Sequence, residues 1–342
     1  MSGLFLSTGT AFAAREGLVD KGSTIYVAGH RGLVGSAIVR RLRADGFEKL
    51  LTRTHAELEL TDQPRVRSFF ESEKPDYVFL AAAKVGGILA NNRYPADFIR
   101  ENVLIQTNVI DAAYKSGAKK LLFLGSSCVY PKCVPQPITE NRLLTAPLEP
   151  TNQAYAVAKI AGLEMARAYR VQYGFTTVSL MPSNLYGPGD SFDLQNSHVL
   201  PALIRKFHEA KQAGSPQVTV WGSGTPRREF LHVDDLADAA LFMMENYDAE
   251  EIVNIGSGED LTIADLAGLI QQVVGYEGQI VYDRSKPDGT ARKLLDVSKS
   301  EALGWRPRID LRVGIRETYE CFLENCAAVN GGSRSIPAVG PE

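Results

Sequence analysis

Apolar residues along this chain fall into two periods that take turns. Short β-branched and apolar runs at 24–28, 49–53, 77–83 and 121–126 predict strands. Between them apolar positions recur at helical spacing, first at Val34, Ile38 and Leu42, then over 65–72 and 96–116. A helix over 151–173 and a strand over 176–181 continue the alternation. Strand and helix taking turns in this way predict an α/β fold, a doubly wound parallel sheet covered on both faces. After Pro182 the pattern changes to a stretch rich in Gly, Pro, Asp and Asn, 183–197, which reads as a long functional loop. A helix over 199–213, a strand over 218–221 and smaller elements to about 325 follow, with no internal repeat.

Composition narrows the class of function. The 342 residues are 44% hydrophobic and 23% charged, enough to bury a large core. The 37 basic and 40 acidic residues leave a net charge of −3, so no broad field favours a nucleic acid or an anionic membrane as partner. No apolar stretch approaches the ~18 residues of a membrane-spanning helix. The first 22 residues carry a short apolar patch with no positive charge before it, which reads as an extension rather than a secretory signal. Cys128, Cys133, Cys321 and Cys326 do not have zinc-site spacing, so no metal is expected, and free thiols in a reducing cytoplasm fit.

Candidate chemistry begins at Gly29-His-Arg-Gly32-Leu-Val-Gly35, after a predicted strand and opening a predicted helix. Glycines at 29, 32 and 35 let backbone approach a pyrophosphate, whose charge is met by the free N–H groups of a helix N-terminus. A carboxylate that would receive a ribose 2′-hydroxyl is missing from Leu51-Thr-Arg53-Thr-His55, whereas Arg31 and Arg53 can pair with a 2′-phosphate. That charge logic favours NADP over NAD. The expected architecture is Rossmann-like, with a smaller C-terminal α/β substrate-binding lobe. An extension (1–22) precedes an NADP-binding domain (23–182, joined by about 232–256); a substrate-binding domain (183–231 and 257–328) and a disordered tail (329–342) follow.

Tyr155 and Lys159 stand four residues apart, on one face of the predicted helix. A nearby ammonium and a cationic nicotinamide are a physical route to a phenol that exchanges protons near neutral pH. The fourth predicted strand ends in Ser126-Ser127-Cys128, where a doubly wound sheet presents its ligands.

With the glycine turn, a serine and a Y-x-x-x-K pair in order, residues 24–325 resemble the extended short-chain dehydrogenase/reductase family. Its downstream signatures are present as Asn184-Leu-Tyr-Gly187-Pro188, Arg228-Glu-Phe-Leu-His-Val-Asp-Asp235 and Asn254-Ile-Gly-Ser-Gly258. Five further blocks, at 29–32, 81–87, 125–131, 197–205 and 287–296, resemble the branch that epimerises GDP-4-keto-6-deoxy-D-mannose at C3 and C5 and reduces it at C4 with NADPH. The resemblance implies that Ser126 and Tyr155 hydrogen-bond the C4 oxygen, with Tyr155 as proton donor and Lys159 on the ribose and phenol. It assigns Cys128 and His198 to the epimerisation, which needs a base on one face of the carbon and an acid on the other. It implies cofactor contacts at Gly29, Arg31, Gly32, Leu33, Val34, Gly35, Arg53, Ala81, Ala83, Tyr155, Lys159, Pro182, Asn184, Leu185 and His198. For the GDP-sugar it implies Val85, Gly86, Ser126, Ser127, Cys128, Asn184, Val199, Leu203, Lys206, Trp221, Arg228 and Lys293. Arg228 and Lys293 could neutralise a diphosphate, and Trp221 is either an apolar surface for guanine or sugar or an ordinary core residue. Two positions depart from the family pattern: His55 and Lys206 stand where arginines are expected. The resemblance also implies a homodimer paired through the helices at 96–116 and 151–173. Cys133, Cys321 and Cys326 are read as structural. Two other readings remain at this point, a UDP-hexose 4-epimerase, which needs neither Cys128 nor His198, and an NADP-sensing regulator without turnover.

Overall fold

The first strand, β1 (Ile25–Ala28), is apolar and buried along its whole length, as a strand covered on both faces must be. It lies in a computed structural model that describes residues 19–194, 197–286 and 288–330, with side chains described up to 324. Residues 1–18 of the expected extension, 331–342 of the expected tail, 195–196 of the long loop, Pro287 and the side chain of Cys326 lie outside it.

The chain continues through α1 (Leu33–Ala44), β2 (Leu50–Leu51), α2 (Gln63–Glu73), β3 (Tyr77–Leu80), α3 (Ile88–Arg93), α4 (Pro95–Lys115) and β4 (Lys120–Leu124). Then come α5 (Gln153–Tyr173), β5 (Thr176–Pro182), β6 (Asn184–Tyr186), α6 (Val199–Gln212), β7 (Gln217–Trp221), β8 (Arg227–His232) and α7 (Val233–Asn246). The last described elements are β9 (Val253–Ile255), β10 (Asp260–Thr262), α8 (Ile263–Val274), β11 (Gln279–Asp283), β12 (Arg292–Lys293), α9 (Ser298–Ala302) and α10 (Leu311–Asn330).

Six strands form one parallel sheet in the order β2-β1-β3-β4-β5-β9, which is the α/β fold the alternation predicts. Connections leave β1 toward both edges, so the crevice at the carboxyl ends of β1 and β3 is where a ligand of such a sheet binds. Side chains alternate between two cores. Ile25 and Val27 pack with Ile38 and Leu42 of α1 and Leu236 and Met243 of α7. Tyr26 and Ala28 pack on the other face with Phe70 of α2, Val109 of α4 and Leu163 of α5. Lys120, buried at the start of β4, donates to the carbonyls of Met244 and Tyr247 at 2.6 Å each, tying the C-terminal end of α7 to the sheet.

A second assembly starts where β5 ends. Strand β6 pairs with β8 in parallel, and β8 also pairs with β10 antiparallel and β12 parallel. Strands β7 and β11 form a separate parallel ribbon. Helices α6, α8 and α10 cover a third core with Leu200, Phe207, Leu266, Ile270 and Ile315. Backbone hydrogen bonds from Ile138 to the Leu294 carbonyl (2.8 Å) and from Asp296 to the Ile138 carbonyl (2.9 Å) tie the end of β12 to the loop after β4.

The fourth strand is shorter than the apolar run predicts. It stops at Leu124, and Ser127–Val129 forms a single 3₁₀ turn. The Ser126 hydroxyl accepts from the Cys128 amide at 3.2 Å, a local bond that competes with extension of the ladder. Among the described residues no helix is long and apolar enough to cross a membrane.

Candidate active site

The turn between β1 and α1 is built by close approach. Gly29 has φ +81°, and a Cβ there would stand 2.7 Å from the Ala82 nitrogen; a Cβ at Gly35 would lie 2.1 Å from the Gly29 carbonyl oxygen. Helix α1 begins after Gly32 with no side-chain cap and no acidic residue in its first turn, so its first amides remain available to an anion. His30 Nδ1 is buried in this turn without a hydrogen-bond partner among the described residues. This cradle fits a dinucleotide pyrophosphate. Leu33 and Val34 are half-buried on α1, and Ala81 and Ala83 lie half-buried just past β3, with the Ala81 amide bound to the Ala28 carbonyl at 3.1 Å.

The two arginines of the expected 2′-phosphate site differ. Arg31 is exposed, and among the described residues no ion pair occupies it. Arg53 pairs with Glu73 at 2.6 Å and donates to the Thr52 carbonyl at 2.9 Å. His55, where a further arginine is expected, pairs with Glu59 inside its own turn. Glu57, which the sequence reading passed over, accepts from the Thr54 amide (2.7 Å) and hydroxyl (2.8 Å). Those hydrogen bonds and the charges of Arg53 and Arg31 hold its carboxyl below the usual range. The absence of an acid noted over 51–55 thus ends two residues later. The Thr-x-x-Glu spacing at 54–57 was the available signal.

Ser126, Cys128, Tyr155 and Lys159 come together at the carboxyl end of β4. Helix α5 reaches the sheet because residue 162 is glycine; a Cβ there would lie 2.5 Å from both the Phe123 ring and the Gln106 side chain. One turn earlier, Lys159 is 4% exposed and donates to the Leu124 carbonyl at 2.9 Å. Its ammonium stands 5.9 Å from the centroid of the Tyr155 ring. Burial pushes Lys159 down to about 8. Tyr155 goes the other way: burial and the neighbouring Cys128 raise its phenol, while its hydrogen bond with Ser126 lowers it. Burial is the largest of these effects, and the phenol holds its proton at neutral pH. Phe98 of α4 packs edge-on against Tyr155, with centroids 6.4 Å apart.

Cys128 is half-buried and faces cations. The Lys293 ammonium lies 4.0 Å from its Sγ, and Arg228 is within electrostatic range. Arg228 and Lys293 are register partners on β8 and β12. Toward the other end of this face, Trp221 is 47% exposed, so it is not a core residue. Strand β7 alternates, with Val218 and Val220 inward and Trp221 outward. The Lys206 and Lys286 ammoniums lie 4.8 and 5.5 Å from its ring centroid.

His198 is the N-cap residue of α6, with its side chain uninvolved in capping. The residue is exposed, and desolvation by the protein around it lowers its proton affinity. Among the described residues no hydrogen bond or ion pair joins it to the cluster at β4. Val199 is exposed beside it, whereas Leu203 is only 3% exposed and packs into the third core. Val85 is 62% exposed, Gly86 is half-buried with its carbonyl held by Asn91 Nδ2 at 2.7 Å, and Ser127 is buried. Pro182 is buried at the end of β5; Asn184 and Leu185 are half-buried on β6, with Asn184 Nδ2 donating to the Glu229 carbonyl at 2.7 Å.

Glu229 is a second residue that the sequence reading missed. It is 1% exposed, and its two carboxylate oxygens accept from the amides of Gly258 (2.8 Å) and Leu295 (2.9 Å). This clamp fixes β12 against β8, and with it the side-by-side placement of Arg228 and Lys293. Burial pushes its carboxyl up to about 7. Glu229→Ala leaves two amides buried without acceptors and is expected to cost about 3 kcal/mol, read by urea unfolding. An unchanged midpoint and slope would remove the clamp from the account.

Comparison with known proteins places this geometry. The model of the NAD dependent epimerase/dehydratase family matches residues 25–256. GDP-L-fucose synthase 1 of Arabidopsis thaliana is 62% identical over 306 residues, covering 90% of this chain and 95% of that protein. GDP-L-fucose synthase of Escherichia coli strain K12 is 54% identical over 312 residues, covering 88% and 97%. A crystal structure of a GDP-L-fucose synthetase from Naegleria fowleri bound to NADP superposes with a TM-score of 0.84 at 31% identity, covering 90% of this chain and 96% of that one.

Proposed function

The chain belongs to the NAD dependent epimerase/dehydratase family, and we propose that it converts GDP-4-keto-6-deoxy-D-mannose to GDP-L-fucose with NADPH, by epimerisation at C3 and C5 and reduction at C4. The observation that carries this reading is the convergence of Ser126, Cys128, Tyr155 and Lys159 at the carboxyl end of β4, with the Lys293 ammonium 4.0 Å from the Cys128 sulfur. A UDP-hexose 4-epimerase would use the serine, tyrosine and lysine but leave the thiol and its cations without a role.

The C4 ketone acidifies the hydrogens at C3 and C5. In this reading the Cys128 thiolate removes one of them, the electron pair moves onto the C4 oxygen, and His198 returns a proton to the opposite face. Desolvation makes the His198 imidazolium readier to give up that proton. Ser126 and Tyr155 hydrogen-bond the C4 oxygen during both stages. When bound, NADPH supplies the hydride that reduces C4. Tyr155, protonated at neutral pH, donates its proton to the C4 oxygen, and the Lys159 ammonium stabilises the phenolate left behind. The glycine turn and the α1 N-terminus would hold the pyrophosphate, Arg31 the 2′-phosphate, and Trp221, Lys206 and Arg228 the GDP end of the sugar nucleotide. The six-stranded sheet serves as the cofactor domain and the assembly around β8 as the sugar domain. A homodimer paired through α4 and α5 and a cytoplasmic location complete the reading. The direct test is NADPH consumption with the keto sugar, with the product identified.

Two consequences are measurable. Because Arg31 has no ion-pair partner among the described residues and Arg53 is already held by Glu73, Arg31→Ala is expected to weaken NADPH binding about tenfold or more and to leave NADH binding unchanged. Equal losses for both cofactors in a fluorescence titration would contradict this role. The Lys159 ammonium loses its proton as pH rises through about 8. The positive charge beside the forming phenolate then disappears, so the C4 reduction rate falls across that limb. Lys159→Arg keeps the charge and moves the limb to higher pH; an unmoved limb would assign it to another group.

A further inference from the structure

We infer that Lys293 is the counterion of the Cys128 thiolate, a positioning residue for epimerisation rather than only a contact for the substrate diphosphate. The inference rests on the function proposed above for its catalytic meaning, but its geometry is independent of any substrate. The Lys293 ammonium lies 4.0 Å from Cys128 Sγ, across 165 residues of sequence. Among the described residues no carboxylate pairs with that ammonium, and the sulfur is its one side-chain partner. Lys293 is held there by β12, which is short and fixed on both sides. Its register partner on β8 is Arg228, and the next residues, Leu294 and Leu295, are bonded to Gln136 Oε1 (2.8 Å) and to Glu229 (2.9 Å).

Two cations stand beside one thiol. Arg228 is drawn toward Cys128 first and toward Asp288 second. The Asp288 carboxylate in turn binds the Ser223 amide (2.6 Å) and hydroxyl (2.8 Å), in the loop that follows Trp221. Arg228 therefore links the sulfur to the nucleotide end of the face, whereas the Lys293 ammonium has, among the described residues, the sulfur alone as its side-chain partner. The other charged or titratable groups facing this thiol are the Tyr155 phenol from α5 and, through Arg228, Glu149 from the loop before α5. Glu149 is itself paired with Lys132 at 3.1 Å. Neither supplies a second proton acceptor at the sulfur. A thiolate beside an unpaired ammonium is the form that can take a carbon-bound proton, becoming the thiol while the electron pair stays on the substrate.

The test uses full-length protein with Cys133, Cys321 and Cys326 replaced by serine, so that Cys128 is the remaining thiol. Its alkylation by iodoacetamide and its 240 nm thiolate absorbance are followed against pH, without substrate. Lys293→Met is expected to move both midpoints upward by at least about one pH unit, and Lys293→Arg to restore most of the shift. Midpoints unchanged in Lys293→Met would overturn the inference. With the keto sugar, Lys293→Met is expected to lower kcat for C3 and C5 exchange about 100-fold. A loss confined to KM would make Lys293 a diphosphate contact and would also overturn the inference. Failure of the proposed substrate would leave the alkylation and absorbance midpoints shifted, so the two failures are distinguishable.

Discussion

Cys128→Ser should abolish incorporation of solvent deuterium at C3 and C5 of the keto sugar while leaving NADPH binding intact. A serine hydroxyl in the same place has no accessible anionic form near neutral pH, so the carbon loses its base although the Lys293 ammonium is still present. General base catalysis contributes roughly 10²–10⁴-fold, and a loss of that size in exchange is the expected readout. The substitution removes no hydrogen bond that holds the fold. The Ser126 hydroxyl bonds the backbone amide at 128, and that amide remains. Exchange at the wild-type rate in this variant would remove Cys128 from the epimerisation altogether.

Tyr155→Phe should separate the two activities in the opposite sense. Burial keeps the phenol protonated, which makes it the donor to the C4 oxygen and gives it no part in removing a carbon-bound proton. Exchange at C3 and C5 therefore persists, slowed only by the loss of one of the two hydrogen bonds to the C4 oxygen while Ser126 keeps the other, whereas reduction falls by about 10²-fold or more. The ring stays packed against Phe98, so the loss is chemical rather than structural. Reduction at the wild-type rate would mean that another group supplies the proton, and Ser126, already hydrogen-bonded to the phenol, would be the first to examine.

What the sequence disclosed follows how local each feature is. The glycine turn is legible because strand, turn and helix are consecutive and each glycine has a steric reason visible in the spacing. The Tyr155 and Lys159 pair is legible because four residues make one helical turn. The central sheet follows from the alternation of apolar runs, although β2 is reduced to Leu50–Leu51 at the edge, where only one neighbour holds it. Trp221 could have been placed from the period of two in β7, since Val218 and Val220 are the inward residues. The approach of Lys293 to Cys128 was not legible. It depends on β12 pairing with β8 and on Ile138 bonding to Leu294 and Asp296, contacts set by long-range register rather than by any local pattern. Glu229 was hidden for the same reason: alone it reads as a surface charge, and its burial is forced by two backbone amides from distant segments.

The central claim is that one site carries out two epimerisations and a reduction on a GDP-linked 4-keto-6-deoxy sugar. Its most direct test is to mix the purified protein with GDP-4-keto-6-deoxy-D-mannose and NADPH, follow the absorbance at 340 nm and identify the product sugar by NMR. NADPH should disappear in step with the formation of GDP-L-fucose, which should carry solvent hydrogen at C3 and C5. NADPH bound but not consumed, or a product reduced at C4 without inversion at C3 and C5, would contradict the claim.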